Sequence, residues 1–299
     1  MRDGAELRDL VAVELSGPVD PRVTAVAEAI AARHRPSSRA VLFYGSCLRE
    51  RQLEGRMLDF YLIVSDYRTA YDKRWLATAN RLIPPNVFYF EKDGLAAKYA
   101  VLSEADFAQE CDASARTPSV FARFSQPSRL VWAVDEEARS RSISAVARAV
   151  PTLLGFTRPT LSDGKADPLQ LWKEAFRLTY GAELRAERDS RPEAIVDSDA
   201  DRYCRFAKAA GFPDNRSFTE AQRRTSEDAW RQFQRRGKRA SVLRLIKASF
   251  TFAGGAEYIA WKINRHAGTR IELKPWQRRH PLLAGISLLP RLLRSGAIR

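Results

Sequence analysis

Cysteine and histidine are scarce in this 299-residue sequence. Cys47, Cys111 and Cys204 show no paired or CxxC spacing, and His34, His266 and His280 are scattered. This argues against a disulfide framework and against a structural zinc site, and it suits a reducing compartment. No run of about 18 or more apolar residues occurs, so no membrane-spanning helix is expected. The opening MRDGAELRDL has no apolar core of the signal-peptide kind. The expected location is therefore the cytosol or a surface facing it. Acidic residues are also in short supply: 36 Asp and Glu stand against 50 Lys and Arg, a net charge of +14. Such an excess favours anionic partners, whether nucleic acid, lipid headgroups or polyphosphates.

What is present is a substantial apolar fraction, 45%, enough for one large or two modest domains. Residues 20–34 read as a helix, with Asp20 as cap, Pro21 at the first position and Val23, Val26, Ala27 and Ile30 at helical spacing. Val41 to Tyr44 is a strand ending at Gly45-Ser46, and residues 47–55 form a short helix and turn closing at Gly55. Leu58 to Ser65 is a second strand, apolar on both faces except at Asp59, and so central in a sheet. Residues 69–82 read as a helix with Trp75, Leu76, Ala79 and Leu82 inward, stopped by Pro84-Pro85. Asn86 to Glu91 is a third strand followed by an Asp93-Gly94 turn, and Tyr99 to Leu102 a fourth. Ser103 and Asp106 suggest a capped helix over 104–111. Leu130 to Val134 fits a strand or a helix start. Helical patterns then dominate at 138–151, 168–187, 201–210, 218–235, 238–249 and 254–266, with breaks expected at Pro151, Pro159 and Pro168 and a polar connector over 188–200. From Arg265 to Arg299 there are eight lysines and arginines against one acid, Glu272, interleaved with leucines. That mixture suits a membrane interface or packing on the protein's own body.

Chemistry concentrates between Val41 and Ser103. A Gly-Ser at a strand exit can present N–H groups and a hydroxyl to phosphate oxygens, and Gly45 lets the backbone approach closely. Asp59, near the start of the neighbouring strand, is an ionisable group beside Leu58, Phe60, Leu62 and Val64, and such a group needs a partner or a metal. A carboxylate there can hold Mg²⁺ that also contacts a triphosphate. Side chains alternate along a strand, so the residue beyond Asp59 on its face is Tyr61, not a second acid. Further metal ligands are expected from Glu91 and Asp93. Lys98 is a candidate phosphate contact.

The motifs FYGS at 43–46, MLDF at 57–60 and KYAVLS at 98–103 resemble the mitochondrial-type phosphatidate cytidylyltransferase family, the peripheral kind of CDP-diacylglycerol synthase, within the polymerase-beta-like nucleotidyltransferase superfamily. Where that family has Gly-Arg-Leu-His-Lys-Pro, this chain has Ala122-Arg123-Phe124-Ser125-Gln126-Pro127. Its Trp-His and His-Tyr-Ser segments have no counterpart around Trp75 and Asn80. The resemblance implies an α+β fold: a nucleotidyltransferase sheet domain over 1–136, a mainly helical domain over 137–264, and the basic, apolar tail. It implies Asp59, Lys98 and Arg123 as catalytic residues, Tyr44, Gly45, Ser46, Lys98 and Tyr99 as nucleotide-binding residues, and Mg²⁺ as cofactor. It further implies CTP and phosphatidic acid as substrates and a peripheral position on the inner face of a membrane. Two alternatives stand beside it: transfer to another acceptor (RNA, a small molecule or a protein hydroxyl), and a non-catalytic basic module binding RNA or membrane.

Overall fold

In the computed structural model, the described residues are 2–50, 52–161, 167–182, 191–212, 217–251 and 274–275. The expected helix at 254–266 and all but two residues of the tail lie outside them. Two helices come first, α1 (Arg2–Leu15) and α2 (Pro21–Arg33). Five strands follow with short helices between them: β1 (Ser38–Tyr44), α3 (Ser46–Glu50), β2 (Met57–Val64), α4 (Tyr67–Ala70), α5 (Arg74–Leu82), β3 (Asn86–Lys92), β4 (Leu95–Ser103), α6 (Glu104–Glu110), α7 (Ser119–Phe124) and β5 (Ser128–Ala133). Helices then take over: α8 (Glu136–Thr157), α9 (Pro168–Tyr180), α10 (Arg191–Asp197), α11 (Ala200–Ala209) and α12 (Glu220–Thr251). The architecture is α+β, a mixed sheet followed by a largely helical region, as expected from the sequence.

The sheet order is β3-β4-β2-β1-β5. β2 runs antiparallel to β1 and parallel to β4, while β3 and β5 are antiparallel edges. The apolar run in β2 explains its central place. Leu58, Phe60, Leu62 and Val64 are buried on one face, against α2. Tyr61 and Ile63 are buried on the other, among α1, α6, α7 and α8. Each such side chain contributes about 1.5–3 kcal/mol by leaving water. α2 is started by Asp20, whose carboxylate accepts from the Arg22 N–H at 2.8 Å, and by Pro21. Ser103 likewise caps α6, accepting from the Asp106 N–H at 3.1 Å.

The second face continues into the helical region without a break in packing. One apolar cluster runs from Leu42 and Tyr61 through Phe121 and Val150 to Trp172, Tyr203 and Phe233. The buried Arg202 of α11 reinforces this seam: its guanidinium pairs with Glu14 of α1 and donates to the Ser125 carbonyl at 3.1 Å.

Four local expectations need correction. α8 passes through Pro151. The lost N–H sits on the exposed side, where the freed carbonyl can turn to water, while Val146, Ala149, Val150, Leu153 and Leu154 hold the inner face. The two helices expected around Gly237 are one, α12, and a Cβ at Gly237 would run into the Ala182 carbonyl. The helix expected over 69–82 is split into α4 and α5, and α5 packs through Ala77 and Asn80, leaving Trp75 and Leu82 46% and 73% exposed. Part of the polar connector folds as α10.

Candidate functional site

The register of the sheet builds the site. Tyr44 pairs with Asp59 across β1 and β2, and Asp59 pairs with Lys98 across β2 and β4. Tyr44, Asp59 and Lys98 therefore share one row and, with Tyr61 two residues along β2, one face. The Lys98 ammonium lies 3.0 Å from an Asp59 carboxylate oxygen, with side chains 38% and 17% exposed. Gly45 leaves β1 at φ +94°, a left-handed conformation, and a Cβ there would come within 2.7 Å of the other Asp59 oxygen. Glycine is required twice over, for its dihedral and for the carboxylate seated against it. The close approach predicted for a phosphate is made first by the protein's own acid.

Arginines close the cluster. Arg123 of α7 lies over the Tyr44 ring, 5.5 Å from its centroid, and donates to the Tyr61 hydroxyl at 3.4 Å. Arg49, in the last turn of α3, donates to Gln126 at 3.1 Å, joining that helix to the end of α7. Arg56 pairs with Glu50. Lys98 thus pairs with Asp59 and Arg56 with Glu50, while Arg123 and Arg49 engage Tyr61 and Gln126 beside them. Cys47, next to Ser46, is buried and donates to the Met57 carbonyl at 3.3 Å. Burial, then the charge of Asp59, pushes its thiol up to about 11, so it stays protonated at neutral pH and is no nucleophile.

The structure brings Tyr44, Gly45, Ser46, Asp59, Lys98 and Arg123 to one region. It takes Tyr99 elsewhere. Adjacent to Lys98, Tyr99 points through the opposite face, is buried, and meets His34 Nε2 at 3.0 Å. Arg49 and Gln126 are additions that motif reading missed. The signal for Arg49 was its place three residues after Ser46, one turn of α3 away.

Glu91 and Asp93 do not join Asp59. Tyr89 is the β3 residue in register with Lys98, so it lies two strands from Asp59, roughly 10 Å away, and Glu91 is two residues further along. Glu91 is exposed and accepts from the Tyr89 hydroxyl at 2.6 Å. Asp93 occupies the β3–β4 turn at φ 51° with Lys92 at 3.4 Å. Among the described residues no three His, Cys, Asp or Glu side chains gather as a metal-binding group. The donors around Asp59 do not fit a Mg²⁺ site in this arrangement. They offer Asp59, already held by an ammonium, Glu50 held by Arg56, and a tyrosine hydroxyl held by an arginine. Two unit charges 4 Å apart repel by about 4 kcal/mol at an effective dielectric of 20, and a dication doubles that.

The fold and this cluster define the class: an α+β protein with an acid–lysine pair at a strand exit of its sheet. No protein-family model matches the sequence, and no curated protein matches it. Among solved structures the chain is similar to the crystal structure of a nucleotidyltransferase-like protein from Exiguobacterium sibiricum 255-15, at 10% identity over 92% of each chain, with a TM-score of 0.30. Among the described residues no helix is long and apolar enough to cross a membrane.

Proposed function

We propose that this protein is a nucleotidyltransferase that takes the polyphosphate of a nucleoside triphosphate beside Gly45, Asp59 and Lys98. The observation that carries this reading is the Lys98–Asp59 pair seated against a left-handed glycine at the exit of β1. An acceptor oxygen attacks the α-phosphorus, the bond from that phosphorus to the bridging oxygen breaks, and pyrophosphate leaves. Negative charge builds on the leaving group, and cations fixed in advance stabilise it without reorganising. Lys98 supplies that charge, Asp59 fixes where the ammonium sits, and Arg123 stands on the same face.

CTP as donor and phosphatidic acid as acceptor are the finer reading, with CDP-diacylglycerol as product. Their support is the motif resemblance at 43–46, 57–60 and 98–103, together with the net charge of +14, which suits an enzyme working at an anionic bilayer on the inner face of a membrane. The test is to incubate the full chain with each labelled triphosphate and phosphatidic acid liposomes, in Mg²⁺ and in EDTA, with Asp59→Ala beside it. Lipid-linked nucleotide from CTP, lost in the variant, is expected. Product from no triphosphate with any acceptor would sink transfer altogether, and product that survives Asp59→Ala would move the site.

Tyr61 favours a second reading. It stands where a second acid would face Asp59's side of the strand, and it is bound to Arg123. Under that reading the chain binds an anionic ligand, RNA or a membrane surface among them, without transfer, and the assay yields binding but no product.

A further inference from the structure

The mismatch between the acids present and a divalent-cation site carries an inference about the ligand itself, resting on the triphosphate reading above. We infer that Lys98 takes the place of the divalent cation, so that the site binds a polyphosphate in its metal-free form.

Three observations combine. The first is the donor count. Asp59 is the acid on this face of the central strands, the next position on the face is Tyr61, Glu50 of α3 is paired with Arg56, and Glu91 and Asp93 are carried off by the β3–β4 hairpin. Magnesium demands near-octahedral oxygen coordination at short distance, and carboxylates already committed to cations are a poor start. The second is the place of the ammonium. It lies 3.0 Å from an Asp59 oxygen and so already supplies a cation to that carboxylate. A lysine ammonium has three donor hydrogens and no acceptor, so it can hold Asp59 and phosphate oxygens together. Its 38% exposure leaves it reachable from solvent. The third is the company it keeps. The next side chain of β2 on this face, Tyr61, is engaged by Arg123, which lies over Tyr44. An acid at position 61 would strengthen a metal site; a tyrosine that accepts from an arginine instead holds a second positive charge above the same row. The arrangement neutralises phosphate with fixed side-chain charge.

The consequence is a reversed metal dependence. Magnesium complexes free triphosphate and competes with Lys98 for it, so added Mg²⁺ leaves affinity unchanged or weakens it. Equilibrium titration of the full chain with CTP, ATP, GTP and UTP, in EDTA and in excess MgCl₂, measures this directly. The expected result is binding in EDTA at least as tight as in Mg²⁺. Lys98→Met keeps the length of the side chain, removes the charge and frees Asp59. It is expected to lose ten-fold or more in EDTA, and Mg²⁺ is expected to recover part of that loss. A merely structural lysine would not change the sign of the metal effect. Circular dichroism and a melting curve establish that the variant is folded, and Lys98→Arg is expected to retain most metal-free binding. Wild-type affinity that rises ten-fold or more with Mg²⁺, or metal-free binding untouched in Lys98→Met, overturns the inference and leaves the nucleotidyltransferase reading standing. No binding of any triphosphate in either buffer sinks the two together.

Discussion

Lys98 and Tyr99 are neighbours in one strand, yet they serve opposite faces of the sheet, and the two polar clusters they join are built on different terms. On the Tyr99 face, His34 is buried and satisfied within the protein. Its Nδ1–H donates to the Ala70 carbonyl at 2.9 Å, which leaves Nε2 to accept from the Tyr99 hydroxyl at 3.0 Å. Tyr71, Phe88 and Tyr99 surround its ring at centroid distances of 5.6 to 6.2 Å. On the Lys98 face, the ammonium and the Asp59 carboxylate are partly exposed, and Arg123 stands on the same face. A polar group deep in a core is tolerated when its partners are internal, whereas a charged side chain that solvent reaches can also meet a ligand of the other sign. The difference separates a cluster that holds the fold from one that can do chemistry.

Substitutions can break that contrast, and the largest effect is expected on the Tyr99 face. Tyr99→Ala removes a buried ring from its stack with Phe88 at 5.4 Å and should cost about 3–5 kcal/mol, read from the urea midpoint. Gly45→Ala comes next and touches the other face. A side chain at φ +94° is strained by roughly 1–3 kcal/mol, and its Cβ displaces the Asp59 carboxylate, so stability and triphosphate binding should fall together. Tyr99→Phe leaves the packing but strips His34 Nε2 of its donor, an orphaned buried acceptor worth about 1–3 kcal/mol.

The pH response sharpens the same contrast. Burial, opposed by the hydrogen bond to Ala70, holds His34 below its ordinary 6.5. The folded protein therefore takes up this proton less readily than the unfolded chain. The associated stability is complete above about 6.5 and is lost as pH falls from there toward the depressed folded value, at most about 1.4 kcal/mol per pH unit. Urea midpoints at pH 7.5 and 5.5 should fall further for the wild type than for His34→Gln. Lys98→Met should change stability least, by under about 1 kcal/mol, as befits a partly exposed ion pair.

Some of this was legible in the sequence and some was not, for reasons that concern range. Asp20 with Pro21 and Ser103 with Asp106 act within one turn, so their caps could be read directly. Asp59 stood out because one acid interrupted an apolar strand, and the period of two already put Tyr61, not Phe60, on its face. The same period separates Lys98 from Tyr99; motif resemblance grouped them and alternation parts them. Glu91 and Asp93 looked available because they end a strand, but strand order is a non-local property, and β4 lies between β3 and β2. The Gly45–Asp59 approach needs the β1–β2 register, and the Glu14–Arg202 pair joins residues 188 positions apart. Pro151 misled because the outward side of α8 tolerates what its interior would not.

The contrast between the two faces is tested most directly by one titration, with labelled CTP added to wild type, Lys98→Met and Tyr99→Phe at pH 7.5. Lys98→Met is expected to lose ten-fold or more in affinity while Tyr99→Phe binds as the wild type does. Equal losses in both variants, or undiminished binding in Lys98→Met, would contradict this division of roles between the two faces.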